Sequence, residues 1–367
     1  VASTKSSEGI GLKREISIPG FQKRIKLKEL AVMSRQMATM IGAGLSLLRT
    51  LNILSEQTES KPLAKILGQI RDEVETGVST SDAFAKHFEV FPPLMVSMIR
   101  AGEAGGFLEG ALESIAVNFE KEVRLRGKIK SAMTYPVIVL IMALLSVVSM
   151  LIFIVPVFQK MFDSLGGKLP LPTMMLVYMS QAMVWIGPLL AVAFIAFAIW
   201  WPKNKNTERV RLFLDPLKLK LPVFGPLLKK IAVARFSRNF SDMIGAGVPI
   251  LRALQIVGET SGNRVIEESL KKVAESVRNG QSLSGPLAGQ PVFPPMVVQM
   301  ISVGEDAGSL EIMLDKIADF YDQEVEAATE QLTAMIEPLM VAFLGLVIGG
   351  MVVALYMPIF NISTLIK

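Results

Sequence analysis

The chain contains no cysteine and a single histidine, His87. The first absence excludes disulfides, thiolate catalysis, iron–sulfur clusters and cysteine-ligated zinc together. A lone His without Cys or a triad partner does not make a metal or catalytic site, so His87 is expected on a surface or in a loop. No P-loop, dinucleotide fingerprint or H-E-x-x-H pattern occurs, and no stretch alternates apolar and polar residues as a half-buried strand would. Charge is also scarce: 19% of 367 residues, with 51% hydrophobic. That balance excludes a disordered chain and sits badly with a single soluble globule.

The scarcity is local. Three stretches, 131–159, 169–202 and 338–366, hold 92 residues and no Asp, Glu, Lys, Arg or His. The remaining 275 residues are about 26% charged, which is ordinary for soluble protein. The stretches predict spans over Pro136–Phe158, Met174–Trp201 and Pro338–Phe360, each longer than the ~20 residues that cross ~30 Å of hydrocarbon as a helix. Trp200 and Trp201 stand where an aromatic belt would sit. Charge-free spans disfavour ion-coupled carriers, whose pathways carry intramembrane ionisable groups.

Lys121, Arg124, Arg126, Lys128 and Lys130 precede the first span, and Lys203, Lys205, Arg209 and Arg211 follow the second. The positive-inside rule then places both large segments, 27–130 and 203–337, in the cytoplasm. The short 159–173 loop and the C-terminal residues 361–367 fall outside. Residues 1–26 are basic and lack the apolar core of a signal peptide, so they read as a flexible tail. With Val1 rather than Met at the start, the chain is expected to be part of a longer one.

The sequence is also duplicated. SRQMATMIGAGLSLLRTLNILSE at 34–56 returns as SRNFSDMIGAGVPILRALQIVGE at 237–259, and FPPLMVSMIRAGEAGGFLE at 91–109 as FPPMVVQMISVGEDAGSLE at 293–311. The similarity continues into the first and third spans. Two tandem units that each start inside and end outside need a return helix between them, which is the second span. Within each unit the apolar period is helical: Leu27–Ile41, a helix from Ser46 or Pro249, one between Pro62 and Gly77, a short one capped near Ser79–Ser81, one opened by Pro92-Pro93, and a long one entering the membrane. The expected fold is all-α: three transmembrane helices and two duplicated helical bundles of about six helices each.

Glu103 and Glu305 recur at the Gly-Glu turn of both units. They are expected either to complement the positive N-terminus of the following helix, as Glu109 and Glu311 also would, or to contact a partner protein or a cation. Arg49 and Arg252 recur in LLRTL and ILRAL and are candidates for the same two roles, structural or partner-contacting. Gly345 and Gly349 form G-x-x-x-G in the third span, a close-packing element for another helix of this chain or of a second copy.

The duplicated S-R-x-x-x-x-M-I-G-A-G and F-P-P…G-E-x-x-G-x-L-E blocks, with the three-span pattern, resemble the bacterial inner-membrane platform proteins of type II secretion and type IV pilus assembly. The resemblance runs from Lys28 to Phe360. It implies a non-enzymatic platform without cofactor whose cytoplasmic domains engage a hexameric ATPase. Its membrane part would work with inner-membrane pilins or pseudopilins and alignment proteins, as a homo-oligomer in the bilayer and without nucleic acid. The competing reading from the residues is a channel or transporter subunit with regulatory cytoplasmic domains.

Overall fold

The computed structural model describes residues 25–164, 169–204, 207–222 and 224–365, and among these every regular element is a helix. The basic tail expected over 1–26 lies outside the described residues except for its last two. The first unit runs α1 (Leu27–Gly42), α2 (Leu47–Gln57), α3 (Lys61–Glu75), α4 (Thr80–Ala85), α5 (Pro93–Gly105) and α6 (Leu108–Ser149). After a π-turn at Met150–Ile154 the last helix continues as α7 (Val155–Ser164). The return helix is α8 (Leu171–Asn204). The second unit follows as α9 (Glu208–Lys220), α10 (Phe224–Gly245), α11 (Ile250–Thr260), α12 (Arg264–Arg278), α13 (Ser284–Ala288), α14 (Pro295–Asp306) and α15 (Leu310–Leu365). Thus α10–α15 repeat α1–α6, and α9 has no counterpart among the described residues of the first unit.

Local chemistry accounts for the element ends. Ser46 accepts from the Arg49 N–H at 3.4 Å at the start of α2, and the Asn263 side chain accepts from Val265 N–H at 2.9 Å at the start of α12. Pro93 and Pro295 occupy first-turn positions, where a missing N–H costs nothing. Apolar faces then close one continuous core through both units. The Phe of each F-P-P block is buried in it: Phe91 meets Phe84 edge-on at 4.7 Å, and Phe293 meets Phe236 at 4.9 Å.

Among the described residues three helices are long and apolar enough to span a bilayer, within Leu108–Ser164, Leu171–Trp201 and Leu310–Pro358. All three outlast the runs read from hydropathy. The first continues to Ser164, the second starts at Leu171, and the third reaches Leu365, so helix replaces much of the expected 159–173 loop and 361–367 end. Pro136, Pro188, Pro338 and Pro358 lie inside these helices without ending them. Among the described residues the spans meet in a cluster of Leu151, Val155, Leu176, Val177, Met351 and Leu355. There the π-turn leaves the Leu151 carbonyl to accept from Ser180 Oγ at 2.6 Å, while Thr173 Oγ donates to the Ala354 carbonyl at 2.5 Å. Both hydroxyls are buried, so each ties α8 to a neighbour by a bond that water does not replace.

Candidate functional site

The two repeated sequence blocks touch in space. Gly102 and Gly304 let α5 and α14 approach the first turn of the next helix. A Cβ at Gly102 would stand 2.7 Å from Ala111 Cβ, and one at Gly304 would stand 2.9 Å from Met313 Cγ. Gly106 and Gly308 then turn the chain with φ of +73° and +65°, a region only glycine enters without strain. Next, Glu109 and Glu311 reach back to the first glycine of I-G-A-G. Carboxylate oxygens lie 3.2 Å and 2.5 Å from where a Cβ at Gly42 and Gly245 would be.

Glu103 and Glu305 cap a helix distant in sequence, not the one that follows. Glu103 accepts from the backbone N–H groups of Thr80 at 2.7 Å and Ser81 at 3.1 Å, at the start of α4. Glu305 accepts from Leu283 at 2.7 Å and Ser284 at 3.3 Å, at the start of α13. The helix α5 runs on to Gly105, so Gly102-Glu103 forms its last turn and points the carboxylate back at α4. Burial pushes the Glu103 carboxyl up, but the donated N–H groups of Ser81 and Thr80 outweigh it and hold it below the usual carboxylate range.

Arg49 and Arg252 are both exposed. Arg252 donates to Gln255 Oε1 at 3.1 Å and lines an open cleft of about 430 Å³ between the units, with Arg100, Phe107 and Val248. Gly345 and Gly349 are exposed as well, and no atom lies within 4 Å of a Cβ built on either. Their face therefore packs against no other element among the described residues. His87 follows α4, half-buried, with its Nε2 unpartnered. Among the described residues no group of three or more His, Asp or Glu side chains is placed to hold a metal.

The most developed polar structure was missed in the sequence: a seam where α6 runs beside α10 and α15. Asn118 Nδ2 donates to Asp242 at 2.5 Å and to Asn239 at 3.1 Å. Arg235 pairs with Glu122 at 2.6 Å, Lys121 with Asp319 at 3.2 Å, and Lys128 with Glu326 at 2.5 Å. Behind it each unit holds an internal arginine pair: Arg35 grips Glu120 at 2.7 and 2.9 Å, and Arg238 bonds Asp322. Arg35 and Arg238 are the R of the repeated S-R block, and their partners lie 202 residues apart in register, so duplication already marked them. Burial pushes the Asp242 carboxyl up to about 6, against the pull of Asn118, Arg238 and Lys121. Nearer the membrane, Leu125, Leu227, Val325 and Leu332 close the seam with apolar contact.

Duplicated helical units pinned along two helices that continue into the membrane define a polytopic, internally repeated membrane protein. The model of type II secretion system protein F matches it twice, at residues 33–156 and 236–358. The chain belongs to that family. It is 45% identical over 357 residues to the type IV pilus assembly protein PilC of Thermus thermophilus, covering 96% of this chain and 87% of that one. It is 44% identical over 353 residues to the PilC of Myxococcus xanthus, with 96% and 84% covered. Against the type II secretion system protein F of Aeromonas hydrophila the identity is 32% over 350 residues, with 95% and 89% covered.

Proposed function

We propose that the chain is a non-enzymatic inner-membrane platform of a type IV pilus machine, coupling a cytoplasmic hexameric ATPase to the extraction and assembly of pilins. The observation that carries this reading is continuity. Helices α6 and α15 each begin in a helical unit and continue without a loop into a span, and the seam joins them before they enter it. A displacement of either unit is delivered to the spans through continuous helix, with no loop between them to absorb it. The higher identity to the two PilC proteins than to the secretion relative favours pili over secretion.

In this reading both units face the cytoplasm, supported by the basic collars at 121–130 and 203–211, and the C-terminus lies outside. The partners are the ATPase, inner-membrane pilins or pseudopilins and alignment proteins. Arg49 and Arg252 are proposed partner contacts, Glu103 and Glu305 hold the starts of α4 and α13, and the open Gly345–Gly349 face packs against another helix in a homo-oligomer. Deleting the gene tests the reading: surface pili should be lost with uptake of small solutes unchanged. Normal pili with an altered solute uptake would replace it with a transport function.

A further inference from the structure

Helix α9 is amphipathic in the inverse sense for a soluble domain. Its polar side faces the protein. Asp215, 2% exposed, accepts from Lys218 Nζ at 3.0 Å and from the Arg264 N–H at 3.2 Å. Arg211 lies 3.5 Å from Glu267, and Glu208 pairs with Arg264 at 2.9 Å, so three side chains of α9 seat on the start of α12. The opposite side carries Leu212, Phe213 and Leu217, all exposed, with Phe213 at 75%, flanked by Arg209 and Lys220. Spacings of three and four place these five residues on one helical face.

The position of α9 identifies what covers that face. Three residues separate its start from the end of α8, and Thr207 N–H donates to the Asn204 carbonyl at 2.9 Å, so the helix begins where the span ends. The chain cannot carry it far from the bilayer surface, because the four steps from Asn204 to Glu208 reach at most ~14 Å. Charge complements the same surface: residues 203–230 hold eight Lys or Arg against Glu208 and Asp215. An apolar stripe edged by cations, tethered at the headgroup level, is the pattern of a helix lying in an anionic interface.

We propose that α9 is an interfacial helix, with Leu212, Phe213 and Leu217 sunk into the acyl boundary and Arg209 and Lys220 on the phosphates of anionic lipid. Through the Asp215 and Glu208 contacts it holds the start of α12, and with it the second unit, at a fixed height against the membrane. The first unit has no such strut among its described residues. The inference rests on α8 crossing the bilayer; only the choice of leaflet rests on the proposed sidedness.

The absence of cysteine makes the test direct. Full-length F213C, labelled with an environment-sensitive fluorophore, is placed in nanodiscs of phosphatidylcholine with and without phosphatidylglycerol, using shallow nitroxide lipid as quencher. K272C on α12 serves as the exposed reference. The proposal expects blue-shifted emission at position 213, quenching several-fold stronger than at 272, an increase with phosphatidylglycerol, and a loss when R209E and K220E are added. L217C reads the same face should F213C not fold. Quenching at 213 equal to that at 272 overturns the proposal. So does blue-shifted emission without lipid quenching, since that means protein covers the face. Both leaflets of a nanodisc are alike, so a negative result here leaves the platform reading and its sidedness standing.

Discussion

Asn118 on α6 and Asp242 on α10 join the two repeats through a 2.5 Å hydrogen bond that neither repeat could make alone. The positions equivalent to them in the other repeat are Phe320 and Thr39, so neither repeat carries both partners and the bond belongs to the assembled pair.

Because burial raises the Asp242 carboxyl to about 6, above the ~3.9 of an unfolded Asp, the folded state holds the proton more tightly between those values. Its favourable contribution is complete below pH ~4 and is lost as pH rises through about 6. D242N, which cannot ionise, should therefore stabilise the protein at pH 7.5 by about 1–3 kcal/mol, with the gain vanishing towards pH 4. Thermal unfolding of the detergent-solubilised chain across that range checks it. A variant less stable than wild type at pH 7.5 would mean the ionised carboxylate is favoured by the seam.

E103Q removes a charged acceptor from two backbone donors of α4, at a cost of about 1–3 kcal/mol. Here the sign is opposite. The Glu103 carboxyl is held below its ordinary value, so its contribution is present above the unfolded pKa of ~4.3 and fades as pH falls through the lower folded value. The wild type should lose more stability than E103Q below pH 4, and the two unfolding curves should converge there.

G102A places a methyl 2.7 Å from Ala111 Cβ and 3.0 Å from Leu108 Cα, on backbone and side chain that are both fixed. The expected cost is about 1–3 kcal/mol. G110A, on α6 with open space around it, is the control and should be near neutral or slightly stabilising. Comparing the two melting temperatures separates a packing requirement from a general aversion to alanine in this region.

S180A leaves the Leu151 carbonyl of the π-turn without its side-chain donor. Stability in detergent should fall by about 0.5–2 kcal/mol, and amide exchange around 150–155 should quicken while exchange in α1–α5 is unchanged. No change at 150–155 would show that the π-turn stands without α8.

Much of this architecture is legible in the sequence because two strong physical signals coincide. Uncharged runs reveal spans, and duplication fixes which helices correspond. The I-G-A-G and G-E-x-x-G blocks could be read as punctuation, yet their contact through Glu109 and Gly42 needs tertiary structure, since nearly 70 residues separate them. Glu103 illustrates the same limit: its spacing suggests the next helix along the chain or an outside contact, and it caps a helix starting 23 residues earlier. Arg35 and Arg238 were visible as repeated residues but carried no motif that announced a partner. Helix α9 was hidden because Pro216 interrupts its pattern and because apolar residues facing away from the protein carry the same period as residues facing in.

In the function proposed above, the two helical units receive force from an assembly ATPase. This is measured by binding of the full-length chain, in nanodiscs, to the assembly ATPase of the same organism, compared with R49E and R252E variants. The wild type should bind specifically, and binding should weaken about tenfold or more when both arginines are reversed, corresponding to at least ~1.4 kcal/mol. No binding by a correctly folded wild-type chain would contradict it.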